Sequence, residues 1–142
     1  MAEEHGDEGL VEEITHDGEC LAYVIRAAYA PGQTTFVTPD ERVQQIGFIV
    51  YPAGGRVQAH THRPIERHIV GTGEVILVRS GRCHVDIFTD ERGLVASREL
   101  AAGDVVAMVS GGHGFRIVEP TVLLEVKQGP YEEADEKDRF EP

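Results

Sequence analysis

Apolar and polar residues alternate along most of this chain with a period close to two. The alternation is interrupted at Gly, Pro, Asp and Ser roughly every 8–12 residues. Read this way, the chain yields strands over Cys20–Ala28, Val43–Tyr51, Arg56–His62, Glu74–Arg79, Arg82–Thr89, Leu94–Leu100, Val105–Val109, His113–Val118 and Thr121–Lys127. Turn chemistry separates them at Pro31-Gly32, Pro52–Gly55, Asp90–Gly93, Gly103-Asp104, Gly111-Gly112 and Glu119-Pro120. Ser80-Gly81 reads as the turn of a hairpin joining the two strands around it. The segment 63–73, with Pro64, Gly71 and Gly73, is irregular. No helix-period run stands between residues 20 and 127. Many short strands at this spacing predict an all-β sandwich or barrel.

At 142 residues and 41% hydrophobic content the chain suits one domain with one core. The net charge of −12 belongs to the ends. Residues 1–19 hold eight acids and no Lys or Arg, and residues 131–142 hold six acids against Lys137 and Arg139. The stretch between is neutral. The expected organisation is a flexible acidic arm over 1–18, a β-domain over 19–131 and an acidic tail over 132–142. On that reading, trimming both ends leaves the fold intact. A neutral body with acidic ends argues against nucleic acid, which needs a cationic surface. No apolar run spans a membrane, and the first residues lack the pattern of a secretory signal, so the expected compartment is the cytoplasm. Cys20 and Cys83 are then core thiols.

The chemistry concentrates in histidines. His60 and His62, at i and i+2 on a strand, point to one face. Glu74 opens an apolar strand and His113 follows Gly111-Gly112. Three imidazoles and a carboxylate suit a mononuclear divalent transition metal with open positions for water or substrate. The plainer reading of each histidine is a surface residue. The pairing of His60 with His62, and two further ligand types on neighbouring strands, favour the metal.

Gly54, His60, His62, a glutamate and a glycine seven residues beyond it resemble the first motif of the cupins. The run Gly103–His113, with Asp104 and the Gly111-Gly112 pair, resembles the second. The resemblance covers about residues 43–127. It implies a double-stranded β-helix, the jelly-roll barrel of the cupin superfamily, holding one metal on His60, His62, Glu74 and His113. Departures are a second motif one residue short before His113, Val109 in place of a proline, and Ile117 in place of an asparagine. The glutamate is ambiguous. Glu66 has the literal spacing, seven residues before Gly73. Glu74 stands seven before Gly81 and opens a strand, which favours it and makes 63–73 an insertion at the barrel mouth.

His84, His68 and Glu66 are the candidates for acid–base work. The competing reading is an exposed His84, a surface or lid His68, and His5 and His16 solvated in the acidic arm. Arg56, Arg63 and Arg67 read as surface charge or as a clamp for an anionic substrate. Gly103 and Asp104 read as turn formers. The leading expectation is a metal-dependent enzyme acting on a small polar molecule, by oxidoreductase or isomerase chemistry, with Fe(II) favoured over Mn, Ni, Co, Zn or Cu because an open histidine–carboxylate site suits iron(II). The run Gly111–Phe115 and the ending Leu124–Tyr131 resemble a subgroup of small stand-alone cupins that has no agreed reaction. The alternatives are a non-catalytic small-molecule binding or sensing module and a structural protein with a vestigial site. Open sheet edges and apolar strands ahead of the motif region predict a homodimer. Neither nucleic acid nor membrane is an expected partner.

Overall fold

The computed structural model describes residues 8–132 and 136–142. His5, the start of the acidic arm and residues 133–135 of the tail lie outside the described residues. The chain forms two compact units. One combines Met1–Tyr29 with Thr72–Pro142, and the other is Ala30–Gly71.

The first unit is two antiparallel sheets over one core. Its strands are β1 (Val11–His16) and β2 (Glu19–Ile25), which precede the second unit's β3 (Thr35–Phe36) and β4 (Gly47–Phe48). There follow β5 (Glu74–Ser80), β6 (Arg82–Phe88), β7 (Leu94–Ala101), β8 (Val105–Met108), β9 (Gly112–Ile117) and β10 (Val122–Lys127). One sheet runs β1-β2-β8-β5-β10 and the other β7-β6-β9. Period-two alternation sends Ile14, Ala22, Val24, Ile76, Val78, Val106 and Met108 inward from the first. It sends Cys83, Val85, Ile87 and Leu100 inward from the second, into the same cluster. Cys20 and Cys83 are both buried, as expected of core thiols, and burial pushes the Cys83 thiol above its ordinary pKa.

The all-β reading stands, with strands at every position expected from Glu74 onward. No ladder closes the two sheets into a barrel among the described residues. The expected β5–β6 hairpin is not formed. β5 pairs with β8 and β10, and β6 pairs with β7 and β9. Gly81 turns a corner between the sheets instead. Its φ is +89°, and a Cβ there would run into the Pro120 carbonyl oxygen, so only glycine fits.

Residues 11–16, expected to lie in a flexible arm, are a strand. Asp17 and Gly18 both have positive φ, 50° and 78°, which makes His16-Asp17-Gly18-Glu19 a two-residue hairpin of the primed type. Ile14 is buried against Ala22, and Glu12 takes the Arg98 Nε–H at 2.7 Å. The tail is likewise docked where it is described. Phe140 packs edge-on against Phe88 at 5.1 Å, Arg92 lies over the Phe140 ring, and Glu136 meets Lys127 at 3.4 Å. The reason is the same at both ends: one or two apolar anchors outweigh the solvation of the surrounding acids. Deleting residues 1–18 is therefore expected to destabilise the protein. Burial of Ile14 alone is worth about 2 kcal/mol. At roughly 4 °C per kcal/mol for a domain of this size, the midpoint of thermal unfolding should drop by about 8 °C or more. An unchanged midpoint would mean that β1 contributes nothing.

The second unit carries little regular structure. β3 and β4 pair only through Thr35↔Phe48 and Phe36↔Gly47. A Cβ on Gly47 would sit 2.6 Å from the Phe36 ring, so glycine is what admits the contact. Beyond the ladder, Val37 N–H donates to Ile46 O and Ile46 N–H to the buried Thr38 hydroxyl. The Gln45 amide donates to the carbonyls of Pro39, Asp40 and Arg42, which curls residues 39–44 into a loop. The long strand expected over Val43–Tyr51 is thus reduced to two residues. The strand expected over Arg56–His62 is absent. Pattern alone does not make a strand; a partner strand must accept the backbone groups.

Candidate metal centre

Glu74 opens β5 on the inner face, in line with Ile76 and Val78. In register it stands beside Met108 of β8 on one side and Lys127 of β10 on the other. His113 lies on β9 opposite Ile87, so it also faces inward. The two side chains meet across the interior, Glu74 Oε2 to His113 Nε2 at 2.9 Å. The Glu74 side chain is 7% exposed and that of His113 is 27% exposed. Phe115, two residues on along the same face of β9, sets its ring edge-on to His113 at 6.1 Å. Met108 and Ala22 form the apolar floor.

A buried carboxylate needs a compensating charge. Lys127 belongs to that surrounding. Its ammonium is desolvated, which opposes its charge. The hydrogen bond to Glu136 and the charges of Glu125, Glu136 and Glu74 outweigh this and hold its pKa above the ordinary value. The ammonium also lies 4.7 Å from the centre of the Tyr131 ring. Gln128 accepts from Gly73 N–H at 2.9 Å, which fixes the backbone entering β5.

The other residues singled out from the sequence are distributed differently. His60 and His62 stand in the second unit, exposed, with ring centroids 5.1 Å apart and His60 Nδ1 2.8 Å from the Gln58 carbonyl. Glu66, His68, Arg56, Arg63 and Arg67 are exposed in the same unit. His84 lies on the outer face of the three-stranded sheet, opposite to Cys83 and Val85, with its Nε2 3.6 Å from Glu99. It is therefore on the other side of that sheet from His113. Among the described residues, no group of three or more His, Cys, Asp or Glu side chains converges as a metal cage. Within the first unit Glu74 and His113 come together, and within the second His60 and His62 lie side by side.

Lys127, Gln128 and Tyr131 figure in the sequence only as part of the family-like ending, with no role at a site. Their signal was the period of β10: Lys127 shares the inward face with Leu123 and Glu125, in register with Glu74.

The outer face of the three-stranded sheet is a polar lattice. Arg116 donates from Nε and Nη2 to both Asp86 oxygens at 2.7 and 2.9 Å, and from Nη2 to the Ser97 hydroxyl. The Arg116 hydrogen bond holds the Asp86 carboxyl below its usual value; burial opposes this, and Ser97 adds to the lowering. A depressed folded-state pKa stabilises the fold above the unfolded value of about 3.9 and loses that contribution as pH falls further. The difference in thermal midpoint between the wild type and Asp86→Asn is thus expected to be largest near neutrality and to narrow below about pH 4. A gap that stays constant from pH 7 to pH 3 would mean that the bridge is not charge-dependent.

No helix of the described residues is long and apolar enough to cross a membrane. Comparison with known proteins finds no matching family model, no matching curated protein and no matching solved structure.

Proposed function

We propose that this chain is a single-domain metalloprotein of cupin type, with a jelly-roll arrangement of its two sheets and a metal held by Glu74, His113, His60 and His62. The observation that carries the reading is the Glu74–His113 pair, a buried carboxylate and an imidazole facing each other across the core. The donor types fit: a carboxylate oxygen and an imidazole nitrogen 2.9 Å apart would be suited to hold a divalent transition metal. The changes of sheet from β5 to β6 and at every connection from β7 to β10 fit a jelly roll. The resemblance of residues 54–74 and 103–113 to the two cupin motifs adds His60 and His62 as the remaining ligands.

The chemistry supplied by such a metal is polarisation of a carbonyl or hydroxyl oxygen, or redox chemistry if it is iron. The chain's own residues do the rest. Met108 and Phe115 keep the pair in apolar surroundings. Lys127 supplies a positive charge beside the carboxylate. Arg56, Arg63 and Arg67 are available to pair with an anionic group of a small polar substrate. The reaction class favoured is oxidoreductase or isomerase, in a cytoplasmic protein.

A second reading is a small-molecule binding or sensing module without catalysis. The position of His84 favours it, since the nearest candidate for acid–base work on the first unit faces away from Glu74 and His113. Anaerobic loading with Fe(II) and, separately, with Mn, Ni, Co, Zn and Cu, followed by a substrate screen, separates the two. Turnover with one metal supports the enzyme. A bound metabolite recovered unchanged after long incubation supports the module. Absence of metal from protein purified without chelator and from every loading attempt overturns both.

A further inference from the structure

The last seven residues hold to the first unit by two side chains. Glu136 and Phe140 are half-buried, while 137–139, 141 and 142 are exposed. Glu136 Oε2 lies 3.4 Å from Lys127 Nζ, and both side chains are largely covered. Phe140 sits edge-on to Phe88, with the Arg92 guanidinium over its ring. The ring is also 3.5 Å from where a Cβ on Gly112 would stand.

These two anchors are on opposite sheets. Lys127 is on β10, in register with Glu74. Gly112 is on β9 and precedes His113. Packed sheets lie about 10 Å apart, and four residues reach at most about 14 Å. Residues 136–140 are therefore just long enough to cross from one sheet to the other. They do so at the end of the sandwich that holds the Glu74–His113 pair.

The polar anchor is a carboxylate on an ammonium. An ammonium this covered favours an anionic partner, and the Tyr131 ring 4.7 Å away helps to fix its place. A carboxylate arriving from outside would replace Glu136 charge for charge. The segment is also easily released. Two half-buried side chains in seven residues form a local unit that opens without unfolding the sheets. We propose that residues 136–142 are a strap across the Glu74–His113 site, with Glu136 standing where the carboxylate of a small organic acid binds Lys127, and that the acid enters by displacing the strap. That this acid is the substrate rests on the function proposed above; the strap and its anion site do not.

Glutarate is the probe, on the whole chain without metal, with potassium chloride at equal ionic strength as the control for screening. Line broadening in its NMR spectrum gives the affinity. A strap that is mostly closed weakens apparent binding by the fraction of open chains. Glu136→Gln removes the competing carboxylate and should tighten glutarate at least about tenfold relative to the wild type. In the Glu136→Gln chain, Lys127→Met should abolish binding and Lys127→Arg should retain it. The chain has no Trp, so Phe140→Trp supplies a single reporter of the strap. Glutarate should raise acrylamide quenching of that indole, and chloride should not. Equal glutarate affinity in the wild type and Glu136→Gln, or none in either, overturns the proposal. Binding that survives Lys127→Met, or that leaves the quenching unchanged, also overturns it. A lower thermal midpoint in Glu136→Gln with no gain in affinity means a tail docked for stability alone, and overturns it too. The expected glutarate response in a protein that takes up no metal leaves the strap standing and removes the metalloprotein reading. Metal uptake with no glutarate response does the reverse.

Discussion

On the function proposed above, Glu74→Gln is expected to abolish metal binding, whereas Glu66→Gln is expected to leave it intact. Glu74 is the buried carboxylate of the pair, 2.9 Å from His113. Glutamine preserves its shape and can still hydrogen-bond the imidazole, so the fold should survive. What disappears is the negative charge that compensates a divalent cation, replaced by a weak neutral amide donor. Loss of an outer hydrogen-bonding partner to a ligand typically costs about 10–100-fold in metal affinity. Loss of the anionic ligand should exceed that. Glu66 is exposed in the irregular segment ahead of β5, and its substitution should change turnover at most. Elemental analysis of the two variants after dialysis, with thermal unfolding to check the fold, makes the comparison. A full site in Glu74→Gln with an empty one in Glu66→Gln would reverse the assignment and make residues 63–73 part of the metal-binding wall.

The half of the fold from Glu74 onward was legible because its strands bury one face and solvate the other. Val75 to Val78, Cys83 to Ile87 and Val105 to Met108 alternate or run apolar as a sandwich requires, and the glycines at 81 and 103 mark the turns between them. Strand pairing was less legible. Ser80-Gly81 has the composition of a hairpin turn, and only the close approach of Pro120 shows that it turns a corner between sheets. The β1–β2 hairpin was passed over because acids dominate residues 1–19. Its signal was Asp17-Gly18 between Ile14 and Leu21, a local turn preference that composition averages away. The converse error lay in Val43–Tyr51 and Arg56–His62. Their β-pattern is real, but β-propensity is realised only when a neighbouring strand takes up the backbone. Of the site, Glu74 and His113 come together because both sit on strands whose inward face is set by the core. Residues 56–62 form no strand, so the alternation that puts His60 and His62 on one face is not realised there.

Asp104→Ala is expected to be strongly destabilising, although the residue lies away from the Glu74–His113 pair. The side chain is buried at the turn that leads from β7 into β8, and its oxygens satisfy three donors. Oδ1 accepts from Ala27 N–H at 2.8 Å. Oδ2 accepts from Ala101 N–H at 2.9 Å and from the Arg26 guanidinium at 3.2 Å. Arg26 also reaches the Glu99 carbonyl at 2.7 Å, so the carboxylate ties β2, β7 and the turn together. Gly103 makes this possible, with φ at +91° and room for no Cβ beside Ala27. The backbone of the same turn is bonded to β5 in both directions, Gly103 N–H to Val78 O and Val78 N–H to Asp104 O. Alanine would leave two backbone N–H groups and a guanidinium short of an acceptor. Each unsatisfied donor costs about 1–3 kcal/mol. Partial access to water lowers the sum to about 4 kcal/mol, or roughly 15 °C in the thermal midpoint. Asp104→Asn keeps the shape and one acceptor oxygen, so its midpoint should fall between the two. Denaturant unfolding of the three proteins gives the energies directly. A loss under about 1 kcal/mol in Asp104→Ala would show that the turn holds by its backbone bonds and Gly103 alone.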